Sequence, residues 1–499
     1  MDILGNTSVL DTTVIVLLTA LTAIASHMGK AVFHDGIRPI LPEYLEGRMK
    51  RSELASISFG LSIGFIVSVG LSFAVSFELL NPWLLFLPTD ILGVMATRWW
   101  IAAALGGLWG LVALFGLTGV QAAFTLLPID LLGALGELST PVLVAFTAFP
   151  ILAILYQFGW VKALISALLA LIVRQLLPVL GGVYTDRAQA NLERASEIAN
   201  ITFPKDADFA TKVDALQEAG GNQQVQDLIS QATNSFSLGT TIGGFTMQIA
   251  VLMLMGMILL VSFAIMKDLK NKDSITVDSE DDNIFAERTK RIYKGIPILA
   301  GIGGLLAIAA NLGLMTGSEV SGPILQQAWN ATGQEQRDLL QSAAIADIIR
   351  GISFIPLIVT TALATGVYGV VGLTFVFPIG YLLPNPVLAG VLGALWICLE
   401  VIALRGIGRF LQRYPSLRES SDNIRSSMNS MIELALFIGG AFAAMKMAPE
   451  AIGLSLTIYI LLYAANEGLG RPIMKLAAGP VAIILTGIIL NLLYLLNLV

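Results

Sequence analysis

Apolar stretches of about 17 to 25 residues recur along the whole chain, each long enough for a helix to cross the roughly 30 Å hydrocarbon layer of a bilayer. Val9 to His27, Ser56 to Leu79, Leu238 to Met266 and Ile296 to Leu314 are four of them. Barrel strands would instead alternate over about ten residues. With 13% charged and 56% apolar residues in 499, and a mean hydropathy of +0.79, the chain lacks the charge to cover a soluble surface of its size. The fold class is therefore all-α: a polytopic helical membrane protein of about 12–14 spans, some short or re-entrant. The first apolar run has no basic residues before it and no small-residue cleavage site after it, so a cleavable signal peptide is not expected. One cysteine, Cys398, excludes intrachain disulfides, and two histidines make a His/Cys metal cluster improbable.

One pattern is written twice within this apolar sequence. Leu87-Pro88-Thr89-Asp90-Ile91-Leu92-Gly93 and Leu127-Pro128-Ile129-Asp130-Leu131-Leu132-Gly133 each place an acid between a proline and a glycine. A carboxylate at a membrane helix centre costs about 2.5–3.5 kcal/mol on insertion scales. The proline removes a backbone donor and the glycine loosens the chain, so each copy reads as a broken helix with an acid at the break, as in transporter ion sites. The other reading is an interfacial turn whose aspartate caps the next helix. Glu137 follows Asp130 by two helical turns and would share its face if the helix continued past Gly133.

Charge distribution organises the rest. Residues 1–183 form an N-terminal transmembrane half, ending the first span in a basic segment with Lys30, Arg38, Arg48, Lys50 and Arg51. Residues 184–237 form a polar insertion with eight acids against four Lys/Arg, which favours the outside face. A span over 238–266 leads to a linker loop, 267–294, whose seven Lys/Arg place it in the cytoplasm. Residues 295–499 form the C-terminal half. Within it lie a polar outer segment from Thr316 to Arg350, a Thr/Gly-rich run with Thr360, Thr361, Thr365 and Gly366, and a third basic loop from Arg405 to Arg425. Both termini are expected on the outer side. The two chain ends echo one another: Asp35-Gly36-Ile37-Arg38-Pro39-Ile40 and Glu467-Gly468-Leu469-Gly470-Arg471-Pro472-Ile473. With one re-entrant span between them, the pair would fit an inverted repeat of two halves.

Several longer strings carry a resemblance to a known family. They are Ala31 to Pro42, Phe59 to Phe65, Leu85 to Gly93, Gly317-Ser318-Glu319-Val320-Ser321, Thr360 to Tyr368, Ser421 to Arg425, and Asn466-Glu467 with Gly470-Arg471-Pro472. On these the chain resembles the YhfT family of bacterial inner-membrane proteins, departing from it in the insertion around 184–237. The resemblance implies an inner-membrane location and a transport role, and brings neither a substrate nor catalytic residues.

The mechanism is read from the residues. A secondary transporter is expected, moving a small polar, anionic solute by alternating access through broken helices in an elevator-like manner. Asp90, Asp130 and Glu137 are the candidates for binding a driving proton or sodium ion, because their charge must be neutralised for a loaded carrier to move. Arg38 and Arg471 could grip an anionic substrate bidentately, with Glu467, Thr360, Thr361 and Thr365 beside them. Either arginine could instead snorkel to headgroups or pair with Asp35 or Glu467. His34, Asp35, Glu400 and Glu433 are further candidates, His34 as a proton relay. No cofactor is expected beyond Na+ or H+, and no nucleic acid; the partners are the solute, the lipid bilayer and, by the habit of such carriers, a second copy. One alternative is a phosphotransferase-type membrane subunit for a sugar or polyol. The other is an integral-membrane enzyme, against which stands the lack of a Ser-His-Asp, His-Glu-x-x-His or clustered metal signature.

Overall fold

The computed structural model describes residues 7–34, 37–38, 40–45, 47–204, 207–220, 222–270, 287–318, 320–369, 375–471, 473, 475–496 and 498. Its elements are helices: α1 (Val9–His27), α2 (Leu41–Leu45), α3 (Arg51–Phe65), α4 (Ser72–Phe77), α5 (Pro82–Met95), α6 (Trp99–Thr125), α7 (Leu131–Leu135), α8 (Ser139–Phe158), α9 (Trp160–Ala199), α10 (Phe209–Glu218), α11 (Gln223–Gly243) and α12 (Phe245–Lys270). After the linker come α13 (Glu287–Tyr293), α14 (Ile296–Asn311), α15 (Gly322–Asn330), α16 (Gly333–Thr365), α17 (Val376–Leu382), α18 (Pro386–Arg413), α19 (Pro415–Met447), α20 (Ile452–Gly468) and α21 (Lys475–Leu495). Among the described residues nine helices are long and apolar enough to span a membrane, or ten if the bent pair α13 and α14 counts as one span. The 12–14 expected counted short and re-entrant pieces as well, which this count leaves out. The difference arises where apolar sequence is cut into pieces too short to cross alone, such as α5, or where a helix carries charges, as α16 does.

An inverted repeat is present, and it is not the one the Arg-Pro-Ile echo suggested. The first unit runs α1, α3 and α4, α5, α6; the second runs α14, α16, α17, α18. In each, the first helix packs on the third and fourth. The match extends to single residues. Gly29 and Gly313 hold φ of 60° and 73° after the first helix, and Glu78 and Gly366 hold 55° and 69° after the second. Gly106 lies on the carbonyl of Thr19 and on Ala23, as Gly393 lies on the carbonyl of Gly303 and on Ala307. Small residues there let backbones approach closely, which is how membrane helices associate where apolar burial offers no net drive. Gly93 faces Nδ1 of His27 through its carbonyl at 3.2 Å, and Asn311 Nδ2 donates to Gly380 O at 2.9 Å.

The units are joined crosswise. After α1 the chain unwinds and Ala31 pairs in parallel with Tyr368 at the end of α16; after α14 it unwinds and Met315 pairs with Leu80 beyond α4. The hydrogen bonds are Val32 N to Tyr368 O at 2.9 Å, Tyr368 N to Lys30 O at 3.1 Å, Thr316 N to Leu80 O at 2.9 Å and Leu80 N to Leu314 O at 3.0 Å. They satisfy backbone groups that unwound segments would otherwise leave unpaired in an apolar setting. α1 and α14 are neighbours running in opposite directions, since Leu21 lies at Gly301 and Lys30 at Gly295.

The remaining helices α8, α12, α19, α20 and α21 pack mainly on one another, with α12 and α19 also reaching α16. α9 is 40 residues long, about 60 Å at 1.5 Å per residue, or roughly twice a bilayer core. Its first half exposes Leu164, Leu168, Ile172 and Leu176, while its second half packs with α10 and α11 around Leu192, Leu216, Val225 and Ile229. The polar insertion is thus a small helical hairpin with its own core, capped by Asp208 and Asn222 at the starts of α10 and α11.

Candidate functional site

Each unwound segment is held by a buried carboxylate. At the first break this is Asp90, fully buried on α5, which accepts from Ser26 Oγ at 2.6 Å and from the His34 amide at 2.9 Å. α5 starts at Pro82, capped by Asn81, whose side chain accepts from Leu84 N at 3.0 Å and donates to Gly70 O at 2.8 Å. The expected break at Pro88 is absent: α5 continues through Pro88 and Asp90 to Met95. The unwound backbone that Asp90 meets belongs instead to residues 28–34, at the His34 amide.

Arg38 is buried beside this carboxylate, within electrostatic reach of Asp90 and Tyr368, and its Nη2 donates to Phe33 O at 3.4 Å. A Cβ at Gly369 would stand 3.4–3.7 Å from its guanidinium atoms. Tyr368 donates to Glu400 Oε2 at 2.6 Å, and Trp396 Nε1 donates to Glu400 Oε1 at 2.6 Å. The structure therefore gathers Asp90, Arg38, the His34 backbone and Glu400 around the paired backbone segments at Ala31 and Tyr368. Thr361 and Thr365 are buried nearby, where Thr365 Oγ1 donates to Thr361 O at 2.8 Å and accepts from Val367 N at 3.2 Å, closing the end of α16. Asp35 and the Thr360 side chain lie outside the described residues.

At the second break the carboxylate is Asp347, fully buried on α16 and not singled out from the sequence. Ser318 Oγ donates to its Oδ1, and Tyr381 donates to its Oδ2 at 3.1 Å while accepting from Gly317 N at 2.7 Å. Thr316 Oγ1 bonds Ser318 O at 2.8 Å and Ser321 Oγ at 2.9 Å. Arg350 lies one turn along α16, within electrostatic reach of Asp347 and 5.8 and 5.9 Å from the Trp83 and Phe146 ring centres. The sequence signal was a lone acid in Ala343-Ala344-Ile345-Ala346-Asp347-Ile348-Ile349. It was hidden because Thr316 to Arg350 reads as a polar outer segment, whereas α16 begins at Gly333 and runs through it.

Other expected site residues stand elsewhere. Asp130 is exposed in the turn between α6 and α7 and accepts from Gly133 N at 2.8 Å, which is the helix-capping alternative. Glu137 does not share its face, since the chain turns through α7 and a short 3₁₀ segment before α8; it pairs with Lys446 at 2.7 Å, both partly exposed. Arg471 pairs with Glu467 at 2.7 Å on an exposed surface, so neither joins Arg38. Glu433 pairs with Lys475 at 3.2 Å at the edge of an open cavity of about 340 Å³ lined by Ser430, Leu434, Phe437 and Tyr463. Among the described residues no group of His, Cys, Asp and Glu is placed to hold a metal ion by such ligands alone.

Inverted units, crossed breaks and two buried acids define a multi-pass α-helical membrane protein with an internal two-fold design. Comparison with known proteins narrows this: a family model described as "YhfT: Protein of unknown function" matches residues 11–200 and 222–499. The chain belongs to the YhfT family. It is similar to the Uncharacterized protein YhfT of Escherichia coli (strain K12), with 43% identity over 487 residues covering 97% of each chain. The internal stretch left unmatched by the family model, 201–221, holds α10, so the departure from the family there is narrower than 184–237. No solved structure matches.

Proposed function

We propose that the protein is a secondary transporter that carries a small polar anion across the bacterial inner membrane by alternating access, coupled to Na+ or H+. The observation that supports this reading is the crosswise pairing of Ala31 with Tyr368 and of Leu80 with Met315 between oppositely oriented units. A chain built from inverted units can adopt two related arrangements, one open to each side, of similar energy. Unwound backbone beside a buried acid is the arrangement in which such proteins hold ions.

In this reading Asp90 and Asp347 carry the charge that an ion neutralises, and the buried Arg38 and Arg350 supply guanidinium groups for the anion. Thr361 and Thr365 shape the wall at the end of α16. Asp130, Glu137, Glu467 and Arg471 are surface residues in this account. The N- and C-termini face the periplasm, the basic loops face the cytoplasm, and the working assembly is a homodimer. The solute crosses chemically unchanged.

The test is uptake by proteoliposomes holding the purified full-length protein, offered labelled carboxylates, phosphate esters and sugars under imposed Na+ or pH gradients. Concentrative uptake of an anion, lost in Asp90→Asn, is the expected result. Uptake that needs a cytoplasmic phosphocarrier, or none for any solute under any gradient, would sink this reading.

A further inference from the structure

Two spans are poorly covered by the rest of the chain. Among the described residues, α9 and α20 bury 17% of their apolar windows, against 33% or more for the other candidate spans. Lipid can cover such faces, since acyl chains are as apolar as leucine. The two helices differ in what they show to that surface.

From Trp160 to Val183 the charged residues of α9 are Lys162 and Arg174, both cations. At the end of α20 both signs are present. Glu467 pairs with Arg471 at 2.7 Å, and Glu433 of α19 pairs with Lys475 of α21 at 3.2 Å. Neither pair is closed off, because Arg471 and Lys475 keep 48% and 44% of their side chains exposed. Beside them the open cavity between α19 and α20 is lined by Phe437 and Tyr463, whose ring centres lie 4.7 Å apart. Glu433 stands within the apolar run of α19 from Met431 to Phe442, where a carboxylate turned to lipid is costly.

One side of α20 continues this patch. Gly453, Thr457, Ile460, Ala464 and Gly468 recur at intervals of three and four residues, so they share a face, and all five are exposed. A Cβ on Gly453 or Gly468 would meet nothing within 4 Å. Small residues on a membrane helix let another helix come close, and such packing drives association where apolar burial offers no net gain.

The signs of charge select the occupant. A two-fold axis sets a patch against its own copy, so a patch of mixed sign meets acid with base and a patch of one sign meets itself with repulsion. The first case is α20 and the second is α9. We propose that a second copy of this chain docks on α20, its own α20 lying along the Gly453 to Gly468 face, with the Glu433–Lys475 and Glu467–Arg471 pairs of both copies meeting across the axis. This gives the homodimer of the transporter reading its face, but the face rests on these residues and not on transport.

The experiment is cross-linking of the full-length protein in native membranes, each variant carrying Cys398→Ser and one new cysteine. Ala464→Cys should yield a dimer with a short bifunctional maleimide, and Ile172→Cys, exposed on α9, should not. The mass of the purified protein is then measured in nanodiscs of phosphatidylethanolamine and phosphatidylglycerol. Gly453→Leu with Gly468→Leu points into open space within one copy, so helical circular dichroism should be unchanged while the dimer dissociation constant rises about tenfold or more. A monomeric wild type, cross-linking at Ile172→Cys in place of Ala464→Cys, or an unmoved dimer in the leucine pair would overturn the face. Phospholipid held by a monomer and lost in Glu433→Leu would overturn it in favour of lipid. Dimers that take up no solute would remove the transporter reading and leave the face standing; uptake by a monomeric wild type would do the reverse.

Discussion

His34 and Ser318 occupy matching places in the two units: the carbonyl of each accepts from the amide four residues on, and each hands a hydrogen to a buried carboxylate, the His34 amide to Asp90 and the Ser318 hydroxyl to Asp347. The acids come from different helices, Asp90 from α5 and Asp347 from α16. The two-fold relation is thus kept in the backbone and broken in the side chains that hold it.

The Asp90 contacts predict a graded loss. Ser26→Ala removes one neutral hydroxyl and should cost about 1.5–3 kcal/mol, the range for bonds to a charged group. Asp90→Ala strands the His34 amide, leaves the Ser26 hydroxyl only Ala31 O at 3.3 Å, opens a cavity in a fully buried position, and should cost more. Melting of the detergent-solubilised variants orders them, and equal melting points for both would contradict this account of the first break.

The glycine contacts predict paired sensitivity. A Cβ at Gly106 would sit 2.4 Å from Thr19 O, and one at Gly393 would sit 2.5 Å from Ala307 Cβ. Gly106→Ala and Gly393→Ala should each destabilise by about 1–3 kcal/mol through overpacking. Gly116→Ala, where the nearest atom is 3.6 Å away, should be tolerated. Yield and melting temperature of the three proteins decide the matter.

Asn311 donates to both Gly380 O at 2.9 Å and Leu383 O at 2.7 Å. Asn311→Ala should cost about 1–3 kcal/mol by stranding carbonyls in a water-poor setting. Its partner in the other unit, His27, meets one carbonyl, so His27→Ala should cost less. Measuring both in one host protein tests whether the units bear similar loads.

Lys30 sits just beyond the end of α1, its ammonium pushed below the usual lysine range by burial, then by Arg291 and Lys294. Its charged form is disfavoured in the fold, so the unfolded chain holds the proton more tightly, and stability should rise with pH as Lys30 deprotonates below 10.5. Below that window the repulsion is fully present. Lys30→Gln should therefore stabilise at neutral pH, by about 0.5 kcal/mol or less because solvent still screens a partly exposed group. The gain should shrink in high salt and the alkaline rise should vanish, as pH-dependent melting at two ionic strengths would reveal.

Orientation is open to direct labelling. In a Cys398→Ser background, Glu218→Cys on the exposed end of α10 should react with an impermeant maleimide in intact cells. Arg413→Cys, exposed at the end of α18, should react after the membrane is opened. The reverse pattern would invert the topology.

The membrane class and helical form were legible because period and length are local properties: a run such as Val9 to His27 has one physical solution in lipid. The acid at Asp90 was legible as costly. Its break was misplaced because Pro88, halfway along α5, is accommodated: the Leu84 carbonyl that its missing N–H leaves open accepts from Trp109 Nε1 at 3.0 Å. Asp130 carries the same motif with the opposite outcome, exposed at a turn, since burial is decided by neighbours distant in sequence. Asp347 was missed for that reason: its partners Ser318 and Tyr381 lie 29 and 34 positions away. The repeat itself left almost no residue-level trace. It is kept by positive φ at Gly29 and Gly313 and by close approach at Gly106 and Gly393, conditions that many sequences meet.

The four crossed backbone hydrogen bonds restrict how this molecule can rearrange. Pulling one inverted unit away from the other tears all four. Sliding both units as one block past α8, α12 and α19 leaves every one intact. A displacement that keeps all four is one of that block against the surrounding helices, which it meets through α16 on α12 and α19 and through α3 on α21.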